Sequence, residues 1–399
     1  MGLKKRFQKT EEGTQEKAGK ASGEECTNDT PTDGSGLAGD IARIVSDLKA
    51  ISKEIEKNSD GLKDVALKNA DRFGKLYYHL SEVEHNMIHD TYYMHKFEKS
   101  FITNAFGELK KDEDFKKRFL RLIKGLDRES IDVLVTMLNR LEKVYWAPED
   151  VHLDIYTREE KLKLRELKEK FTDKIMQISG GLYYYSGYYL PVNGFEDSVF
   201  YYRHGIGELK DPGKIKNRDI IDAGGYIGDS VLILSPLTNG TVYSFEAVRK
   251  NFELMQKTIE LNGVKNAVLV NKALGDKKGK VKITVAGSSS TVGNCAGIKS
   301  EEAETADCIT LDEFVSQNNA EIGLIKVDIE GAEQSFLRGA EKTIKEQKPT
   351  LLISIYHNLN DLLDIKPMIE DWNLGYSFRI YRPVIRKVIA ETLLIAEAQ

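Results

Sequence analysis

From residue 219 onward, short apolar runs alternate with segments whose apolar positions recur at three- and four-residue steps. The runs predict strands at Asp219–Asp222, Val242–Phe245, Ala267–Asn271, Leu324–Asp328 and Thr350–Ile355. The segments between and after them predict helices at Ile227–Ser235, Arg249–Asn262, Leu311–Gln317, Ala332–Lys345 and Asp361–Trp372. Strands that are apolar throughout and separated by helices imply an open, mostly parallel sheet covered on both faces. The final pair, Tyr376–Tyr381 and Thr392–Ala396, has no helix between its members and predicts an antiparallel edge. This is an α/β class, a Rossmann-like doubly wound sheet.

Upstream the period is helical throughout. Ile41, Ile44, Leu48, Ile51 and Ile55 share one face and suit a short coiled coil, and further helices are predicted at Phe73–Phe97, Phe115–Ile123, Ile131–Val144 and Lys161–Ile178. The reading is a helical domain over 39–179, suited to substrate recognition or homo-oligomerisation. Residues 180–216 are dense in Tyr and Phe and predict a β-hairpin linker, with turns at Pro191 and Asn193-Gly194. Residues 1–38 carry almost no large apolar side chains and predict a disordered tail, because they bury too little surface to offset ordering entropy. The sheet domain is expected over 217–399.

Composition narrows the function classes. The net charge of −5 disfavours nucleic acid as the partner, since neutralising phosphates needs a basic surface. Cys26, Cys295 and Cys308 form no C-x-x-C pair, so neither a disulfide framework nor a zinc site is expected, and a reducing compartment fits. MGLKKRFQKTEE has no apolar run behind its basic residues, and Arg6 stands where a myristoylation motif wants Ser or Thr. No stretch approaches the roughly 20 apolar residues of a membrane span. The expected location is cytoplasmic.

The densest chemistry lies in DIIDAGGYIGDS, residues 219–230. A buried strand ends at Asp222, and Gly224, Gly225 and Gly228 follow where the backbone must turn tightly and admit a ligand. Ligands of open α/β sheets sit outside the carboxyl ends of the strands. The next strand, TVYSF, ends in Glu246, an acceptor for ribose hydroxyls. Glycine turn and acidic strand end together predict a bound nucleoside. Tyr226 stands where a dinucleotide fingerprint needs its second glycine, so the pattern favours S-adenosylmethionine over a nicotinamide cofactor.

Residues 219–397 resemble the FkbM family of class I methyltransferases. The resemblance is carried in order by DAGGYIGDS, FEAVRKNFELMQKTIELN, VNKALGDKKGKV, TLDEF, LIKVDIEGAE with LRGAE, and ETLLIA. The aromatic stretch 182–209 is similar to the lead-in of some bacterial members, and residues 1–175 match no family pattern. The resemblance implies that Asp222, Gly224 and Gly228 line the methionine side of S-adenosylmethionine. It implies that Glu246 holds the ribose, that Ala273 and Leu274 flank the adenine, and that Asp276 adds a polar contact. Asp328 and Glu330 would face the transferred methyl and the acceptor, and His357, after the fifth strand, is a candidate general base. The implied reaction is O-methylation, with a sugar hydroxyl of a glycan or glycoconjugate as acceptor.

The chemistry is consistent with those positions. In-line displacement at a sulfonium needs an aligned acceptor oxygen and a group to take its proton. Asp328 and Glu330 alternate along an extended segment, so their side chains are expected to diverge, one orienting the cofactor or acceptor while the other acts as base. Structural readings stand beside these: an acid before a helix caps it, Glu333 reads as a first-turn acid, and Lys326 on a buried strand pairs with a carboxylate. His85 and His89 share a helical face, a spacing that can hold a metal, but scattered polar histidines are commoner and no metal centre is expected. The run AGSSSTVGNCAG, 286–297, reads as a flexible loop or lid, and the Tyr run at 183–189 as aromatics packed inward. Rival functions are a nicotinamide-dependent oxidoreductase and a non-catalytic scaffold.

Overall fold

The structure is a computed structural model that describes residues 46, 49–50, 96–147, 155–284, 291–292 and 303–398. The expected tail, nearly all of the coiled-coil stretch and of the Phe73–Phe97 helix, and the 286–297 run apart from Thr291–Val292 lie outside the described residues. The chain divides into two compact units between Glu84 and His85. Of the first, Ser46, Lys49 and Ala50 are described and helical. All that follows concerns the second.

Four helices come first: α1 Lys96–Lys111, α2 Phe115–Ile123, α3 Arg128–Trp146 and α4 Arg158–Lys170. Asp127 caps α3 by accepting from Ser130 N at 2.8 Å. Thr157 and Glu160 form a reciprocal capping box on α4. The helix predicted over Lys161–Ile178 stops at Lys170, because Met176–Ser179 is recruited as strand β1 of a three-stranded antiparallel sheet with β2 Leu182–Tyr185 and β3 Tyr188–Leu190. Its tight turn is Ser186-Gly187, both residues with positive φ (48° and 95°), which matches the right-handed twist of the flanking strands. The turns predicted at Pro191 and Asn193-Gly194 instead follow the last strand. The Tyr rings pack on Phe neighbours, Tyr185 edge-on to Phe171 with ring centres 4.8 Å apart.

The main sheet comprises β4 Asp219–Ala223, β5 Val242–Phe245, β6 Ala267–Val270, β11 Ile322–Val327, β12 Thr350–Ser354, β13 Tyr376–Tyr381 and β14 Leu393–Ala398, in the order β13-β14-β12-β11-β4-β5-β6. The five strands from β12 to β6 run parallel and β13–β14 form the antiparallel edge, as the pattern predicted. Alternate residues serve opposite faces. Ile221, Ala223, Ile325, Val327, Leu351 and Ile353 enter one core; Ile220, Val242, Leu324, Leu352 and Ile395 enter the other. After β5 runs α7 Arg249–Asn262, whose terminal Asn262 side chain bonds Tyr189 N and O at 2.9 and 2.7 Å and so moors the hairpin.

The N-terminal helices complete these two cores. Leu122, Leu134, Met137 and Leu141 join the first and Leu167 the second. Each fully buried aliphatic side chain contributes about 1.5–3 kcal/mol, enough to hold the helices to the sheet. Polar ties add register: Ile380 N donates to Ser130 Oγ at 2.9 Å. Arg118 reaches Asp364 at 2.7 Å on α11 Leu359–Asp371, and Arg121 pairs with Glu370 and Asp371 of the same helix.

A small second sheet was not predicted. It joins β7 Ala273–Leu274, β8 Gly279–Thr284, β9 Thr291–Val292 and β10 Ala303–Ile309 in the order β7-β10-β8-β9. The helix predicted over Ala332–Lys345 is broken at Ala340 into α9 Glu333–Gly339 and α10 Glu341–Gln347. At the break Gly339 packs so closely on the Gly275 carbonyl that a Cβ would lie 1.9 Å from it. No helix among the described residues is long and apolar enough to cross a membrane.

Candidate active site

The glycine turn and the acidic strand end, 20 residues apart, form one unit. Gly224 N and Gly225 N both donate to the Phe245 carbonyl at the end of β5, at 3.0 and 2.9 Å. Tyr226 N donates to Glu246 Oε2 at 3.0 Å, and Val248 N to Oε1 at 2.7 Å. Burial pushes the Glu246 carboxyl up to about 7 against these two amides, which favour its anion. Gly224 and Gly228 have φ of +85°, and their missing side chains make room for protein. A Cβ on Gly224 would stand 1.8 Å from the Asp328 carbonyl oxygen, and one on Gly228 would stand 2.9 Å from Met255 Cγ of α7. The glycines thus let the turn sit tightly against β11 and α7.

Beneath the turn, Asp222 is fully buried. Its Oδ2 accepts from Ser230 Oγ at 2.7 Å and Ser244 Oγ at 2.6 Å, and Lys326 Nζ lies 3.1 Å from Oδ1. Lys326 Nζ also donates to Gly224 O at 2.6 Å. Burial alone would raise the Asp222 pKa, but Lys326 and the two hydroxyls hold it below the usual carboxylate range. Asp222 therefore shapes the turn from below; its carboxylate is engaged by protein and does not line a ligand surface as the resemblance implied. Lys326 is its structural partner.

Across the turn, the ends of β11 and β12 bring four side chains together. His357 Nε2 lies 3.3 Å from Asp328 Oδ1 and 3.4 Å from Glu330 Oε2, while Nδ1 lies 2.9 Å from Glu333 Oε1. Glu330 holds a positive φ of 55° and Gly331 one of 99°, which folds the VDIEGAE segment back so that its acids converge. Asp328 and Glu330 do not diverge as expected: two residues apart they share a face, and both reach His357 Nε2. Glu333 is no plain first-turn acid: its oxygens accept from Ile329 N and Gly331 N, each at 2.9 Å, and it is fully buried. Burial disfavours a charged His357, but Glu333, Glu330 and Asp328 outweigh it and raise its pKa to about 10. These carboxylates favour the protonated ring, which disfavours the expected general-base role.

Three further residues complete the surroundings and had no signal in the sequence pattern. His204 belongs to a kinked turn, Arg203–Glu208, in which Arg203, His204 and Gly205 all have positive φ. Burial, then the charge of Lys326, lower its pKa to about 4, with Asp328 and Asp222 acting in the opposite sense. Glu391, at φ +63° in the β13–β14 loop, pairs with Lys387 at 3.0 Å and feels Asp328. Tyr356 stacks obliquely on His357 with ring centres 4.1 Å apart. Both the aromatic lead-in and the edge loop thus reach the strand ends.

The expected adenine residues are placed differently. Ala273 and Leu274 are buried in β7 against Cys308 and Ile309 of β10. Asp276 is exposed; its backbone N donates to Ser335 Oγ at 3.1 Å, and its carboxylate lies 3.9 Å from Arg338. Asn271 links this segment to the ribose side by donating to the Glu246 carbonyl at 2.8 Å.

Three known proteins are similar to parts of this chain. A "Methyltransferase 1" from Beauveria bassiana (strain ARSEF 2860) is 24% identical over 186 residues, which cover 41% of this chain and 74% of the relative. The crystal structure of the methyltransferase FkbM from Methylobacillus flagellatus KT is similar at 20% identity and a TM-score of 0.46, covering 73% of this chain; the chain spans 60% of that protein. An rRNA methylase from Streptococcus thermophilus aligns at 14% identity and a TM-score of 0.31, covering 49% of this chain and 94% of its own. Residues 222–378 match the family model described as the methyltransferase FkbM domain. Those residues, which include the glycine turn, Glu246 and the Asp328–His357 cluster, are where this chain is similar to the FkbM methyltransferase domain.

Proposed function

We propose that the protein is an S-adenosylmethionine-dependent O-methyltransferase acting on a sugar hydroxyl of a glycan or glycoconjugate. One observation carries the reading: Gly224 packs directly on the Asp328 carbonyl, so the nucleoside-binding turn and the carboxylate cluster share a wall. The donor set fits the cofactor. Glu246 has oxygens for two ribose hydroxyls, and the adenine would lie past Asn271, which donates to the Glu246 carbonyl. S-adenosylmethionine supplies an electrophilic methyl on a cationic sulfur. The chain then has to orient an acceptor oxygen in line and take up its proton. Asp328 and Glu330 are the oxygens for that work. His357, with both ring nitrogens facing carboxylates, positions them. The acceptor class rests on the family resemblance, while the hydroxyl chemistry rests on the carboxylates.

Calorimetric titration with S-adenosylmethionine, with NAD as control, tests the cofactor; saturable binding of the first alone is expected. Incubation with labelled cofactor and oligosaccharide arrays tests the acceptor. Binding of NAD and not S-adenosylmethionine overturns the reading.

A further inference from the structure

The carboxylate cluster contains more than methyl transfer to a hydroxyl requires. His357 is 94% buried at its side chain; its Nδ1 faces Glu333 Oε1 at 2.9 Å, but its Nε2 has no partner in hydrogen-bond geometry. Asp328 Oδ1 is likewise buried and unpartnered. Orphaned buried polar atoms are costly, about 1–3 kcal/mol each, and two of these face one another. Among the described residues, Asp328, Glu333 and His357 each place one donor atom within 4.8 Å of the others. Glu391, 3.0 Å from Lys387, adds a further carboxylate nearby. We propose that this cluster is a divalent-cation site, which rests on the methyltransferase reading for its purpose but not for its existence.

The ligand set can be sorted by what each group already does. Both Glu333 oxygens accept backbone amides, and Oε1 faces His357 Nδ1. Glu333 is thus the outer carboxylate that orients the imidazole, a usual partner of a metal-bound histidine. That leaves His357 Nε2, whose proton a bound cation would displace, at 3.3 Å from Asp328 Oδ1 and 3.4 Å from Glu330 Oε2. Donors about 2.1 Å from an octahedral cation stand about 3 Å apart along an edge, close to the two separations from Nε2. One imidazole with two carboxylates suits a first-row ion such as Mn²⁺, with open positions left for oxygen ligands. Adjacent hydroxyls of a sugar are such ligands. A cation there fixes the acceptor oxygen and lowers its pKa. As the O–CH₃ bond forms and the S–CH₃ bond breaks, the hydroxyl proton passes to the second oxygen of Glu330, and the sulfur leaves as a neutral thioether.

The test is metal binding by the full chain after dialysis against EDTA. Titration with Mn²⁺, followed by the loss of the free-ion electron paramagnetic resonance signal, should give one site per chain. His357→Gln and Asp328→Asn should each weaken it at least tenfold, and Glu333→Gln by about 10–100-fold as an outer-shell change. Circular dichroism checks the fold of every variant. Wild-type protein with no stoichiometric site for Mn²⁺ or Zn²⁺, or folded variants that bind as wild type does, overturns the proposal. S-adenosylmethionine binding to the EDTA-treated protein is measured in parallel. Cofactor binding without a metal site defeats the cation proposal alone, whereas a metal site without cofactor binding defeats the methyltransferase reading alone.

Discussion

Two acidic centres stand side by side at the carboxyl ends of β4 and β11, and they are built on opposite terms. Around Asp222, one carboxylate meets one ammonium and two hydroxyls, so its charge is balanced by a paired cation. Around Asp328, carboxylates outnumber cations, and buried nitrogens and oxygens remain without good partners. Asp222 lies fully buried within β4, whereas Asp328 and Glu330 are half-buried just past the end of β11. A satisfied buried pair rigidifies what surrounds it, while removal of one partner leaves an uncompensated charge. An unsatisfied cluster costs stability and persists where a ligand completes it. The first centre holds the turn in shape; the second is where a ligand has most to offer.

The contrast is broken or sharpened by substitutions on either side. The largest effect is expected from Asp328→Asn: methyl transfer should fall about 10²–10⁴-fold, the usual contribution of a positioned proton acceptor. Its melting temperature should stay level or rise, because the change relieves a charge surplus. Rapid-quench turnover beside calorimetry checks both, and a variant that is inactive because it unfolds would erase the distinction. Lys326→Met should do the reverse and destabilise by about 3–5 kcal/mol, since it strands the Asp222 carboxylate in the core. Urea unfolding measures it; a loss under about 1 kcal/mol, small on the scale of typical mutational effects, would mean that the pair is not structural.

Gly224→Ala puts a methyl into the Asp328 carbonyl at positive φ and should cost about 2–4 kcal/mol in stability, in the range of strained-backbone substitutions, along with cofactor affinity. Equal losses in both, followed by chemical unfolding and calorimetry, would show that the two centres share one wall. The smallest effect concerns Glu246. Its carboxyl titrates near 7, and ribose hydroxyls donate to its anion, so S-adenosylmethionine affinity should rise as pH rises through about 7 and level off above. Glu246→Gln should flatten that rise and weaken binding about tenfold at pH 8, near the 1.5–3 kcal/mol of a charge-assisted bond. An unchanged pH profile in the variant would place the ribose elsewhere.

Much of the sheet was legible because its strands are short, mostly apolar runs and its helices are amphipathic. Val242–Phe245, Arg249–Asn262 and Tyr376–Tyr381 fall where the pattern set them. The small sheet was missed because GKVKIT alternates Lys with Val and Ile at an exposed surface and its partner strand lies beyond the 286–297 run. Asp328, Glu330 and His357 were legible as candidates from their places after strands. Glu333, His204 and Glu391 were not, since each reaches the cluster through a turn with positive φ or from a distant segment.

The sequence alone settled the periodicities: which residues face the core, where strands give way to helices, and that a glycine turn precedes an acidic strand end 20 residues on. Those follow from local geometry, in which period 2 and period 3.6 repeat within a few residues. Partnership was decided only in three dimensions. Lys326 meets Asp222 and not Asp328's cluster because β11 lies beside β4 in a fixed parallel register. His357 is surrounded by acids because β12 lies beside β11 and the Glu330–Gly331 bend turns the chain back. Charge in a low-dielectric interior depends on neighbours within a few ångströms, and the sheet order sets those neighbours.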